Sequence, residues 1–175
     1  MAEKILITYS SRTGSTAGVA DAIGKTLTDL GEEVDIIRMK DVKDLTGYKA
    51  VVAGSAIQAG KWLPEAMKFI EKNQQSLAQK PFAAFLVCMT LAIPKAAEYR
   101  PTVATWFSPV RSLVKPVSEG LFAGALNINQ ISSFSDRLKF RLSIMFGVWK
   151  KGDHRDWNAI SSWAKSLVPL LNTNL

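Results

Sequence analysis

The sequence predicts an α/β fold: a doubly wound, five-stranded parallel sheet with helices on both faces. Three observations predict it. Short continuous apolar runs recur along the chain, as they do in strands buried on both sides. Longer amphipathic stretches with helical periodicity separate them. The first apolar run ends in a hydroxyl-rich loop that opens a helix, and open α/β sheets bind ligands beyond the carboxyl ends of their strands.

The strands are expected at 4–9 (KILITY), 33–38 (EVDIIR), 49–54 (KAVVAG), 82–88 (FAAFLVC) and 120–126 (GLFAGAL). The first helix, about 15–30, sets Ala20, Ile23, Leu27 and Leu30 on one face and Asp21, Lys25 and Asp29 on the other, and stops at Gly31. A second helix starts near Pro64, a residue suited to a first turn, and a last one carries WNAISSWAKSLVPLL after Asp156. Two stretches exceed a minimal design. The 95–116 crossover holds Pro101, Pro109 and Pro116, so its helix must begin late, end early or break. Residues 127–152 form a long insert before the last helix, where a few residues would suffice. The ligand loops are expected at 10–16, 55–62 and 88–94.

A chain of 175 residues fits a single domain, 1–175. Apolar residues make up 47% and charged ones 21%, which excludes a disordered or fibrous chain. Cys88 is the only cysteine, so no internal disulfide forms, and the start of the chain lacks a signal-peptide pattern; both predict a cytoplasmic protein. The longest uncharged apolar run, 82–94, falls short of the roughly 20 residues of a spanning helix. The net charge of +7 favours anionic partners, but no nucleic-acid-binding motif accompanies it.

In SSRTGST, five hydroxyls (Ser10, Ser11, Thr13, Ser15 and Thr16) surround Gly14 in seven residues. A helix start adds unpaired N–H groups and a positive dipole end, so the loop suits a phosphate. Gly14 permits close approach or a positive φ, and Arg12 brings charge. Neither GxxxxGK[ST] nor GxGxxG is present, which favours a monophosphate over a triphosphate or dinucleotide. The alternative is that these hydroxyls only cap the helix. His154 has no Cys or His neighbour that would make a metal site, and Cys88 reads as a packed core thiol. No Ser-His-Asp or Cys-His set is available, so no catalytic side chain is assigned.

Ser11-Arg12-Thr13-Gly14-Ser15-Thr16 resembles the flavodoxin phosphate loop, [ST]-x-[ST]-G-x-[ST]. VVAGSAIQAGKW resembles that family's second flavin loop and FLVCMTLA its third. Within the family, Gly54–Gly60, the AGAL of 123–126, the basic insert and Asp156–Trp157 look like the branch of bacterial quinone-linked protoporphyrinogen oxidases. The resemblance implies strand order 2-1-3-4-5 and FMN as cofactor. It implies a site of Ser10, Ser11, Arg12, Thr13, Gly14, Ser15 and Thr16 on the phosphate, with Ala56, Ile57, Gln58, Ala59, Met89, Thr90 and Leu91 along the flavin. The activity implied is oxidation of protoporphyrinogen IX with a membrane quinone as acceptor; the alternative is a non-enzymatic electron carrier between redox proteins. The third loop lacks an acid, which would raise the flavin potential relative to acid-lined carriers. Trp62 either covers the ring or packs under the next helix.

Residues 131–151 carry five basic residues against one acid. As a helix beginning after Ser135, they place Leu138, Leu142, Met145 and Trp149 on one face, with Lys139, Ser143 and Lys150 opposite and Phe140 and Ile144 outside the stripe. That pattern fits an interfacial helix on the inner face of a membrane, or a core-packing helix with solvated lysines.

Overall fold

The structure, a computed structural model, describes residues 4–126, 134–147 and 151–173. Five strands build the main parallel sheet: β1 (Lys4–Ser10), β2 (Val34–Arg38), β3 (Tyr48–Gln58), β5 (Phe82–Cys88) and β6 (Ser118–Ala123). Their order, β2-β1-β3-β5-β6, is the expected 2-1-3-4-5 winding, and β4 (Lys61–Trp62) turns back antiparallel on the end of β3. The winding direction switches beside β1, which pairs β2 on one side and β3 on the other.

Both faces of the sheet are covered, which is why the strands read as unbroken apolar runs. Ile5, Ile7, Ala50, Val52 and Phe85 point to one face, against α1 (Ser15–Asp29) and α7 (Trp157–Leu171). Leu6, Val51, Ala53 and Leu86 point to the other, against α2 (Pro64–Lys72), α3 (Gln74–Ala78), α4 (Ala96–Thr105) and α5 (Ser108–Leu113). Pro64 opens α2 and Pro109 lies in the first turn of α5, positions where a missing N–H costs nothing. The crossover breaks at Trp106–Phe107, while Pro101 stays inside α4, where it removes only a bond to the helix's first turn.

Two expectations change. The strand expected to end at Gly54 runs on to Gln58, because Ser55 and Ala56 remain paired to β1 and β5. The second loop is therefore a two-residue hairpin turn, Ala59–Gly60, with φ of 49° and 73°. The strand expected at 120–126 divides at Gly124: β7 (Ala125–Leu126) leaves the main sheet and pairs with β8 (Gly152–Asp153). Leu126 and Gly152, which flank the insert, are thus strand partners.

Within the insert, α6 (Phe134–Met145) begins two residues before its expected start after Ser135. Leu138, Leu142 and Met145 share the predicted stripe and are exposed, as are Phe134 and Phe146, so the stripe is not packed into the core. Trp149 and Lys150 lie outside the described residues, as do the side chains of Phe140 and Ser143. No helix among the described residues is long and apolar enough to cross a membrane.

Candidate flavin site

β1 ends at Ser10 and the chain turns through Gly14, whose φ of 84° is left-handed, into α1. A side chain with a Cβ is strained there. Gly14 is itself the N-cap, and no side chain hydrogen-bonds to cap α1, so the hydroxyls are not there as helix caps. The first N–H groups of α1 remain available to an anion, at the positive end of the helix.

A cavity opens above this helix start. Ser11, Arg12, Thr13, Ser15 and Thr16 line it from the first loop, and Ala56, Ile57, Gln58 and Leu63 from the second. Val87, Cys88 and Met89 close it from the end of β5, and Gly124, Ala125 and Leu126 from the end of β6. Nine of the predicted site residues therefore meet in one cavity.

Among the described residues, three buried side-chain polar atoms lack a hydrogen-bond partner: Thr8 Oγ1, Thr16 Oγ1 and Trp62 Nε1. Only Thr16 lines this cavity. A buried hydroxyl costs about 1–3 kcal/mol when unpaired, so its place here fits a ligand that supplies an acceptor. No acidic or aromatic side chain lines the cavity among the described residues. The surroundings are those expected for an anionic phosphate and a largely apolar ring.

The other predicted residues sit nearby in different roles. Ser10 is buried and donates to Met39 Sδ at 3.3 Å, below the cavity. Gly14 acts through its backbone, donating N–H to Ser11 Oγ at 3.0 Å. Ala59 belongs to the hairpin turn. Thr90 and Leu91 lie in a 3₁₀ turn over Met89–Ala92, and Leu91 packs into the core. Burial pushes the Cys88 thiol above its ordinary pKa, opposed in part by backbone hydrogen bonds from Leu91 and Thr90. Arg12 is held in a two-point pair with Glu65. Trp62 is buried edge-on to Phe107, with ring centroids 5.6 Å apart, and takes the packing role.

Sequence reasoning missed Leu63, Val87, Cys88, which was read as a packed core thiol, and the segment Gly124–Leu126 as lining. Gly124–Leu126 carried a readable signal, since they end a strand on the same side of the sheet as the other loops; Leu63 carried none. Because β7 pairs with β8 at Ala125↔Asp153 and Leu126↔Gly152, the insert rises directly from the cavity rim.

A phosphate cradle at the first strand end, in a 2-1-3-4-5 parallel sheet and beside an apolar slot formed by three further strand ends, defines a flavin-mononucleotide protein. The chain belongs to the flavodoxin-domain family, whose model matches residues 6–156, and its cofactor is FMN. Among known proteins it is similar to protoporphyrinogen IX dehydrogenase [quinone] of Escherichia coli K12, at 22% identity over 174 residues, covering 95% of this chain and 96% of the relative. Of solved structures, oxidised flavodoxin 2 from Bacillus cereus shares the fold at TM-score 0.59 and 22% identity, covering 95% of this chain and 98% of that one. A flavodoxin from the domain Archaea shares it at TM-score 0.52 and 22% identity, covering 93% and 99%. The protein is an FMN protein of flavodoxin type.

Proposed function

We propose that this protein is an oxidoreductase that withdraws hydrogen from protoporphyrinogen IX and passes it to a quinone at a membrane surface. The observation that carries this reading is the similarity over nearly the whole length to a protein so named, together with an insert that begins next to the cavity-lining Ala125 and Leu126. Bound FMN supplies the redox chemistry. The chain's part is to hold the phosphate at the start of α1 and keep the slot apolar, with the base of the insert at Ala125 and Leu126 on its rim.

The insert supports the membrane side of this reading. Leu138, Leu142 and Met145 expose an apolar stripe, and five basic residues stand against one acid over 131–151. Apolar and cationic character on one short helix suits an anionic lipid surface that carries a lipophilic quinone.

Anaerobic mixing of the holoprotein with protoporphyrinogen IX is expected to bleach the flavin, and a quinone analogue is expected to restore the colour. An unchanged spectrum removes the substrate assignment; reduction by a reductase with no response to porphyrinogen supports an electron carrier instead. Leu142→Glu is expected to abolish binding to anionic liposomes while FMN content stays intact, and retained binding removes the membrane assignment.

A further inference from the structure

Arg155 lies in the segment between β8 and α7 and does not line the cavity, yet its side chain is only 17% exposed and its guanidinium is fully organised. Nε and Nη2 donate to the two carboxylate oxygens of Asp153, each at 2.7 Å. Nη1 donates to the backbone carbonyl of Ser15 at 3.3 Å. The plane lies over the Trp157 ring, 4.4 Å from its centroid. Gly18, one turn into α1, makes room: a Cβ there would run into Nη1.

Ser15 carries a second link. Its Oγ accepts the backbone N–H of Ala125 at 2.8 Å and keeps its own proton to donate. Asp153 is the strand partner of Ala125, and the His154 N–H donates to the Gly124 carbonyl at 3.2 Å. The first residue of the phosphate-binding helix is thus tied at its carbonyl and at its hydroxyl to the hairpin from which the insert rises.

We infer that Ser15 and Arg155 form a joint between the FMN phosphate loop and the base of the insert, with Arg155 as a positioning residue, so that FMN binding and the seating of the β7–β8 hairpin stabilise each other. A phosphate oxygen that accepts a hydrogen bond from the Ser15 hydroxyl polarises it and strengthens its hold on the Ala125 N–H. The effect runs both ways, because a coupling free energy between two sites is reciprocal. Lysine cannot replace Arg155, since an ammonium lacks the planar fork that serves Asp153 and Ser15 together. The inference rests on FMN occupying this cavity and is independent of which substrate the flavin oxidises.

The test is titration of apoprotein with FMN, followed by flavin fluorescence, together with amide exchange at Ala125 and His154 in the apo and loaded forms. FMN is expected to slow exchange at both amides in the wild type. Gly18→Ala leaves Arg155 in the sequence and displaces its flexible tip from Ser15. It is expected to raise the melting temperature of the apoprotein, because alanine is the better helix former, while weakening FMN about tenfold. Arg155→Gln and Arg155→Lys are expected to weaken FMN to a similar degree, and Gly18→Ala combined with Arg155→Gln to add nothing further. FMN affinity within about twofold of wild type in Gly18→Ala, or exchange at Ala125 and His154 that ignores FMN, overturns the joint. Failure of protoporphyrinogen IX to reduce the flavin leaves these measurements untouched, so the two readings fail separately.

Discussion

Arg12 in the phosphate loop and Glu65 in the first turn of α2 form a two-point ion pair, Nη1 to Oε1 at 2.6 Å and Nη2 to Oε2 at 3.2 Å. The guanidinium that lines the phosphate end of the cavity is therefore already neutralised by a carboxylate. Both side chains are more than a third exposed, at 54% and 39%, so the pair contributes little to folding. Glu65→Gln is expected to change unfolding free energy by less than about 0.5 kcal/mol. The freed guanidinium should tighten FMN about fivefold, as a charge-assisted donor turns from a carboxylate to the phosphate. Equilibrium titration of apoprotein reads the affinity, and a weakened complex would show that the pair instead holds the loop open for FMN.

Thr16 carries a buried hydroxyl that has no partner among the described residues. Thr16→Val keeps the shape and removes the orphan oxygen. The apoprotein should gain about 1 kcal/mol, a rise of about 2–4 °C in melting temperature for a chain of this size, while FMN binding weakens. Parallel melting curves and FMN titrations check the opposed signs. A variant that loses apoprotein stability and keeps its FMN affinity would mean that the hydroxyl serves the fold.

Ala59 holds φ of 49° at the first position of the hairpin turn that brings β4 back on β3. Such turns favour glycine or asparagine, and alanine is strained there. Ala59→Gly should stabilise the protein by about 0.5–1 kcal/mol, because relief of strain exceeds the entropy gained by the unfolded chain. Urea unfolding of the holoprotein measures this, and destabilisation would contradict it.

Glu32, Lys49 and Asn172 close a ring at the amino ends of the strands, with Lys49 Nζ at 2.7 Å from Glu32 and Asn172 Nδ2 at 2.6 Å from the same carboxylate. Burial pushes the Glu32 carboxyl up, but hydrogen bonds from Lys49 and Asn172 and the charge of Lys49 outweigh it and hold it below its ordinary 4.5. A carboxyl depressed in the folded state contributes stability that is present above 4.5 and lost as pH falls through the folded value. Glu32→Gln is expected to lower stability at neutral pH and to flatten the decline below 4.5, as read from urea midpoints across that range. An unchanged acid limb would assign the decline to other carboxylates.

The two-sided core was legible in the sequence because parallel strands covered on both faces leave short continuous apolar runs, here bounded by turn residues and separated by amphipathic helices, and the strand order followed from the family resemblance. The phosphate loop was legible because its chemistry lies within seven residues, around a glycine that the structure places at positive φ. Boundaries were less legible where pairing continues past a glycine and a polar residue, as beyond Gly54 and Ser55, or stops at a glycine inside an apolar run, as at Gly124.

The sequence alone determined the alternation of strands and helices and the cradle at the start of α1, because each depends on residues close along the chain; the winding order came from the family resemblance. Only the tertiary structure decided how that cradle is used. Arg12 meets Glu65 across 53 positions, Ser15 meets Ala125 across 110, and Arg155 meets Ser15 across 140. Side chains so far apart in sequence share no local pattern, and they meet only because the doubly wound sheet delivers its strand ends to one edge.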